Sequence, residues 1–291
     1  MKFALIVNPA AGGGRAGRAL GEVQRELTRL GLEHRAELTR GLDHARELAI
    51  AASAAGEVSV AFGGDGLVGA VAGALKQGDG VMGVLPGGRG NDLARTLGIS
   101  LQPRAACAVL AGGVMRSLDL GEVNSRTFIG IASCGLDSDA NRIANRTRLV
   151  RGNLVYTYGA LRALVGWRSA SFTVQIDDRP QRTFAGYSVA AANSTSYAGG
   201  MLLAPGASLR DGMLDVVTVS QIPKLRLLAV LHTVFSGGHV NQPNVDVVRG
   251  AVVRISASRP FTMYADGDPI AELPVTVRAL PGAVRTIVPA S

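Results

Sequence analysis

The sequence predicts an N-terminal α/β domain on a mainly parallel sheet, followed by a β-rich domain of sandwich type. Three observations predict this. Strand and helix patterns alternate at short spacing up to about residue 114. Three glycine-rich turns there each follow an apolar strand and precede a helix. Beyond that point, apolar runs of strand length dominate. The 291 residues, 47% of them hydrophobic, suffice for a large core in one or two domains.

Residues 3–7, F-A-L-I-V, form a continuous apolar run, the pattern of a strand buried on both faces. The next helix carries Ala19, Leu20, Val23, Leu27 and Leu30 on one face. A strand is expected at 34–38, a helix at 43–55, a strand at 58–62, a helix at 67–75, a strand at 80–85 and a helix from Asn91. Further on, strands are expected at 117–123, 127–132, 171–176, 184–192, 214–219, 252–257 and 262–264. Helical patterns at 154–167 and 223–235 interrupt them. The expected division is a nucleotide-binding domain over 1–118, to which residues from about 280 to 291 return, and a substrate domain over 119–280.

The net charge is +8, and the only lysines are Lys2, Lys76 and Lys224. The excess of arginine fits either a compositional bias or attraction to an anion such as a phosphate or an acidic membrane. There is no basic run of five or more, and at 4% aromatics there is no stacking platform; both argue against nucleic acid. Cys107 and Cys134 lack zinc spacing and read as reduced, buried thiols of a cytoplasmic protein. The first residues are too short in apolar length for a signal peptide. No window reaches ~18 apolar residues, so the expected membrane contact is peripheral.

The first glycine turn, N-P-A-A-G-G-G-R-A-G, holds Gly12, Gly14 and Gly17 in G-x-G-x-x-G spacing, a weak dinucleotide signal. The second, F-G-G-D-G-L, crowds Gly63, Gly64 and Gly66 around Asp65. Glycine admits close backbone approach to an anion, and helix-start amides can cradle it. Asp65 then implies Mg²⁺ between carboxylate and phosphate; the plainer alternative is a cap on the following helix. The third, L-P-G-G-R-G-N-D-L-A, offers the fork of Arg89 to phosphate, while Asn91 and Asp92 equally suit capping. In the second half, Asp119 is read as either solvated or a ligand. Asp266 and Asp268 flank a glycine in A-D-G-D-P, which fits a hairpin turn or a general base. His239 is expected in a loop. The apolar helix around 225–235 fits a core, lipid-facing or homodimer role. No P-loop, protein-kinase set, nucleophile elbow or zinc-protease motif is present.

Taken in order, N-P-A-A-G, F-G-G-D-G, L-P-G-G-R-G-N-D-L-A, S-L-D-L-G, A-P-G-A-S-L-R-D-G-M-L-D and D-G-D resemble the diacylglycerol kinase-like lipid kinases. That family includes sphingosine and ceramide kinases and shares its fold with NAD kinases. The resemblance implies Mg²⁺-dependent transfer of the γ-phosphate of ATP to a lipid hydroxyl. It implies that Asn8, Pro9, Ala10, Ala11, Gly12, Thr39, Gly63, Gly64, Asp65, Gly66, Leu67, Gly88, Arg89 and Asn91 hold the nucleotide. Asp65, Asp92 and Asp119 would surround the catalytic Mg²⁺; Ser208, Asp211 and Met213 would form a second metal site. Asp266 or Asp268 would be the base. Three positions depart from the family pattern: Leu67 and Arg89 replace threonines, and Asp268 replaces glutamate. Alternative readings are a kinase for a non-lipid alcohol or NAD, a nucleotide-binding regulator without catalysis, and, weakest, an oxidoreductase.

Overall fold

The computed structural model describes residues 1–147 and 154–290, which divide into two compact units. The first comprises Met1–Leu120 and Pro281–Ser291, the second Gly121–Leu280. The chain passes between them along two strands, β5 (Val114–Val123) and β15 (Val275–Val288).

In the first unit, β1 (Phe3–Val7), β2 (His34–Leu38), β3 (Val58–Gly63) and β4 (Val81–Pro86) form a parallel sheet in the order β4-β3-β1-β2. All five residues of β1 and all six of β3 are buried, as their unbroken apolar runs require. Residues 285–286 of β15 add to β4 in parallel. The helices are α1 (Ala11–Arg29), α2 (Leu42–Ala54), α3 (Asp65–Ala74), α4 (Asp92–Thr96) and α5 (Pro103–Gly112). α2 packs on α3 and α1 on α5. In α1 the buried positions are Ala16, Val23 and Leu27, while Ala19, Leu20 and, just past its end, Leu30 are half-buried.

The second unit is antiparallel: β6 (Arg126–Phe128), β7 (Ile131–Gly135), β8 (Ala170–Ile176), β9 (Arg182–Ala192), β10 (Leu214–Ser220), β11 (Val245–Gly250), β12 (Val252–Ala257), β13 (Thr262–Ala265) and β14 (Asp268–Glu272). β9 is its hub. Its first half pairs β8, and its second half, buried throughout from Gly186, pairs β7 on one edge and β10 on the other. Three helices are attached: α6 (Leu136–Arg146), α7 (Leu154–Gly166) and α8 (Lys224–Leu231), the last continued by 3₁₀ turns over His232–Ser236 and Gly238–Asn241. Two apolar clusters result. One gathers Phe172, Tyr187, Trp167 and Phe261, the other Met201, Leu203, Val217 and Val245.

Several expectations need correction. The strand expected over 127–132 is two strands, interrupted where Ile129 and Gly130 turn their amides to another element. The helix α6 was not anticipated, although Leu136, Ala140, Ile143 and Ala144 repeat at helical spacing. His239 lies in a 3₁₀ turn and is buried rather than in an open loop.

Candidate active site

β1 connects through α1 to β2 on one side, whereas the chain returns through α2 to β3 on the other. The order of strands therefore reverses between β1 and β3. In an open parallel sheet, ligands bind outside the carboxyl ends of the strands at such a switch point. The first two glycine turns leave those two strands there, and the third leaves β4 beside them.

The three turns touch through bare backbone. A Cβ on Gly12 would lie 2.5 Å from the Gly87 carbonyl oxygen, and one on Gly88 would lie 2.4 Å from the Gly64 Cα. Gly12, Gly13 and Gly14 have φ of +60°, +70° and +85°, so regular α1 geometry begins only after them. Much of the glycine content is thus needed for backbone to pack on backbone, whatever else binds there.

Asp65 joins two of these turns. It is the first residue of α3, yet its carboxylate does not cap that helix. Oδ2 accepts the Asn91 N–H at 2.8 Å and Oδ1 the Asp92 N–H at 2.6 Å, which anchors the start of α4. Burial raises the Asp65 pKa, opposed by the amides of Asp92, Asn91 and Leu93 and by its own. Asn91 itself sits at φ +52°, with its side-chain amide exchanging two hydrogen bonds with the Gly88 backbone. Arg89 between them is exposed.

The acidic triad expected from the sequence is not assembled. A Cβ on Gly90 would lie 2.8 Å from an oxygen of both Asp65 and Asp92, so those two carboxylates flank one point. Asp119 is 3% exposed, so it is not solvated, and it accepts the Gly282 amide at 2.7 Å. Among the described residues, no three His, Cys, Asp or Glu side chains gather as a metal group. Two carboxylates nevertheless suit Mg²⁺, which keeps several waters and takes phosphate oxygens.

Other expected contact residues also make bonds within the fold. Leu67 is 2% exposed, its Cδ2 stacked on Gly63 and its amide bonded to the Gly64 carbonyl. The Thr39 hydroxyl donates to the Gly41 carbonyl and accepts the Gly41 amide. Asn8 Oδ1 accepts the Ala10 amide, shaping the turn around Pro9 and Ala11. Ser208 and Asp211 accept the amides of Arg210 and Met213 within their own turn.

In the second unit, Asp266 and Gly267 take φ of +51° and +90° as the two turn residues between β13 and β14. The two carboxylates differ. Asp266 accepts the amides of Ile129 and Gly130, each at 2.9 Å. Asp268 is exposed at the start of β14. Its pKa is raised by desolvation and lowered by Arg126. Asn145, in the last turn of α6, donates to the Gly267 carbonyl and braces the turn.

Sequence reasoning missed a cavity of about 380 Å³ inside the second unit. α6, α7 and α8 supply much of its surface through Leu136, Ala140, Leu164, Leu227 and Leu231, and Met201 and Leu203 close another side. Asp137 also lines it, with its carboxyl pushed up to about 6 by burial, against the Ser188 hydroxyl. The signal available in the sequence was the 225–235 helix. It proves two-sided, with Leu227 and Val234 buried and Leu225, Leu228 and Phe235 exposed.

The first unit thus presents a parallel sheet with glycine turns at its switch point, and the second a β-rich fold with an apolar cavity. The comparisons with known proteins give the family. Residues 2–123 match the diacylglycerol kinase catalytic domain, and residues 130–288 match the YegS C-terminal NAD kinase beta sandwich-like domain. The chain is 32% identical over 218 residues to a diacylglycerol kinase of Mycobacterium tuberculosis, covering 72% of this chain and 69% of that protein. A diacylglycerol kinase of Bacillus subtilis is 29% identical over 191 residues, covering 64% and 62%. The chain belongs to the diacylglycerol kinase and YegS-like lipid kinase family, and so to the kinases. In fold it is similar to a Bacillus anthracis diacylglycerol kinase structure (TM-score 0.76, 18% identity, 99% and 97% covered). It is also similar to an Archaeoglobus fulgidus NAD kinase solved with ATP (TM-score 0.53, 14% identity, 100% and 94% covered).

Two predictions follow from this geometry. Gly88→Ala forces a Cβ onto the Gly64 backbone and will destabilise the fold by about 1–3 kcal/mol in denaturant titration. The Asp137 carboxyl, raised from 3.8 to about 6, imposes no penalty while protonated in both folded and unfolded states. The penalty appears as pH rises from the unfolded to the folded value. Asp137→Asn will therefore gain Tm relative to the parent on going from about pH 4 to about pH 7.5, measured by calorimetry without lipid.

Proposed function

We propose that this chain transfers the γ-phosphoryl group of ATP to the hydroxyl of a lipid alcohol at a membrane surface. The observation that carries the lipid reading is the apolar cavity of the second unit, a volume suited to alkyl chain and poorly suited to a nucleotide or sugar. The family membership supports transfer, and the switch-point turns support ATP.

On this reading, the turns around Asn8–Gly12, Gly63–Gly66 and Gly88–Asn91 receive the phosphates, with backbone amides and the exposed Arg89 as donors. Asp65 and Asp92 would hold Mg²⁺, which supplies charge neutralisation when bound. Thr39 and Leu67 shape the edge from behind; their own polar groups are already engaged. Asp268 takes the proton from the lipid hydroxyl as its oxygen bonds to the γ-phosphorus and the bond to the β-phosphate oxygen breaks, leaving ADP. Asp266 holds the turn in place. The proposed division is thus a nucleotide-binding first unit and an acceptor-binding second unit.

The membrane contact is proposed for α7 and α8. Tyr158, Leu161 and Val165 form an exposed stripe on α7, with Leu225 and Leu228 exposed on α8 and Phe235 just beyond it. Val165 and Leu225 are 78% and 83% exposed. Arg162, Arg168, Lys224 and Arg226 are exposed among them, and Lys224 Nζ donates to the Val165 carbonyl, tying the two helices together. Apolar residues ringed by cations suit an anionic bilayer. No helix among the described residues is long and apolar enough to cross a membrane.

Asp268→Asn will lower kcat for lipid phosphorylation by about 10²-fold or more without shifting Tm. Asp266→Asn will lower Tm, because two amides lose a charged acceptor. Labelled ATP, Mg²⁺ and a panel of lipid and non-lipid alcohols provide the assay. Parent-like turnover by Asp268→Asn would remove Asp268 from the mechanism, and transfer only to non-lipid acceptors would refute the lipid reading.

A further inference from the structure

The parallel sheet of the first unit ends at β2, which pairs β1 alone among the described residues. The bonds at the two ends of this pairing fix which backbone groups face outward. The Phe3 N–H donates to the Glu33 carbonyl, and the Thr39 N–H donates to the Val7 carbonyl. In a parallel ladder, alternate residues of a strand turn their groups to the same neighbour. Arg35 and Glu37, in step with Glu33 and Thr39, therefore turn theirs to β1. His34, Ala36 and Leu38 present N–H and C=O outward, an open edge of the kind that takes up another strand.

The side chains decide which strand fits. Arg35 and Glu37 lie on one face of β2, and His34, Ala36 and Leu38 on the other. Arg35 pairs with Glu37 and with Glu57 on its own chain. Leu38 is 53% exposed, a large apolar side chain at the margin of the sheet. Residues directly opposite in an antiparallel pair share a face. The β2 of a second copy can therefore meet this edge only about a two-fold axis that passes beside a residue.

With that axis at Ala36, Arg35 faces the partner's Glu37 and Glu37 faces the partner's Arg35. Ala36 exchanges both backbone bonds with the partner's Ala36, and its small side chain obstructs nothing. His34 does the same with the partner's Leu38, which covers the exposed leucine. An axis at Arg35 or at Glu37 sets like charges against each other, and one at His34 or Leu38 leaves most of the strand unpaired. Charge thus selects a single register. The edges of the second unit lack this match. In β11, Asp246 and Arg249 lie on opposite faces and cannot meet across a self-paired edge. β14 contains Pro269, and its Asp268 and Glu272 are both acidic.

We infer that this edge docks a second copy of the chain, joined antiparallel through β2 about an axis at Ala36, so that the two first-unit sheets run on as one. A five-residue strand is a small contact, so the dimer is weak, with a Kd of about 1–100 µM.

The test is sedimentation equilibrium of the full chain from about 1 to about 300 µM, without lipid. The parent should pass from monomer to dimer over this range. Ala36→Pro removes an N–H that the fold itself does not use, so it should stay folded by circular dichroism and remain monomeric. Arg35→Glu places carboxylate against carboxylate across the axis, and Glu37→Arg places guanidinium against guanidinium. Each should raise Kd by about 10-fold or more. An equimolar mixture of these two variants should associate as the parent does, because each then meets the opposite charge. A parent that stays monomeric overturns the inference. So does dimerisation undiminished by Ala36→Pro, or a mixture that associates no more tightly than its components. If Ala36→Pro unfolds, the mixture decides.

Discussion

The glycine-turn edge of the first unit is tied together by one carboxylate that accepts the backbone amides of another turn. Asp65 leaves the turn after β3 and binds the N–H groups of Asn91 and Asp92 in the turn after β4. Those amides begin α4, a helix of five residues that has little stability of its own. The same turn holds Asn91 in the left-handed conformation and brings Gly88 against Gly64. A carboxylate held by several backbone amides is also fixed in orientation.

The second unit uses the same device for a different end. Asp266 accepts two consecutive amides, those of Ile129 and Gly130, and so ties the hairpin of β13 and β14 to the break between β6 and β7. Spending one carboxylate this way leaves its neighbour two residues on exposed, at the start of a strand, with a raised pKa. An acidic pair that looks equivalent in sequence is thereby split into a fixed member and an open one. The raised pKa of Asp268 moves it toward the range in which a carboxylate is an effective proton acceptor.

Much of this was legible in the sequence, and the limits have physical reasons. Continuous apolar runs gave β1 and β3, because strands buried on both faces need no alternation. The glycine turns were visible, but their mutual contact was not; the sequence does not tell a glycine facing a ligand from one facing another glycine. Asp65 was read as a cap on its own helix or a metal partner. The long-range bond to Asn91 and Asp92 has no local signature. Leu67 was expected near the nucleotide, yet its side chain is core, because the first turn of α3 already faces inward there. The cavity escaped altogether, since it is made by residues, most of them apolar, that are scattered from Leu136 to Val245.

The helices that border the cavity also carry the exposed apolar surface, and these two facts bear on each other. α7 turns Leu164 inward and Val165 outward, and α8 turns Leu227 inward and Leu225 outward. Exposing such residues to water is unfavourable by about 25 cal/mol per Å², and a monomer rarely keeps a contiguous patch without use for it. On the proposed reading, a lipid passing from bilayer to cavity crosses these helices. Its chain remains out of water during that passage only if the outer face of the helices is itself in the bilayer.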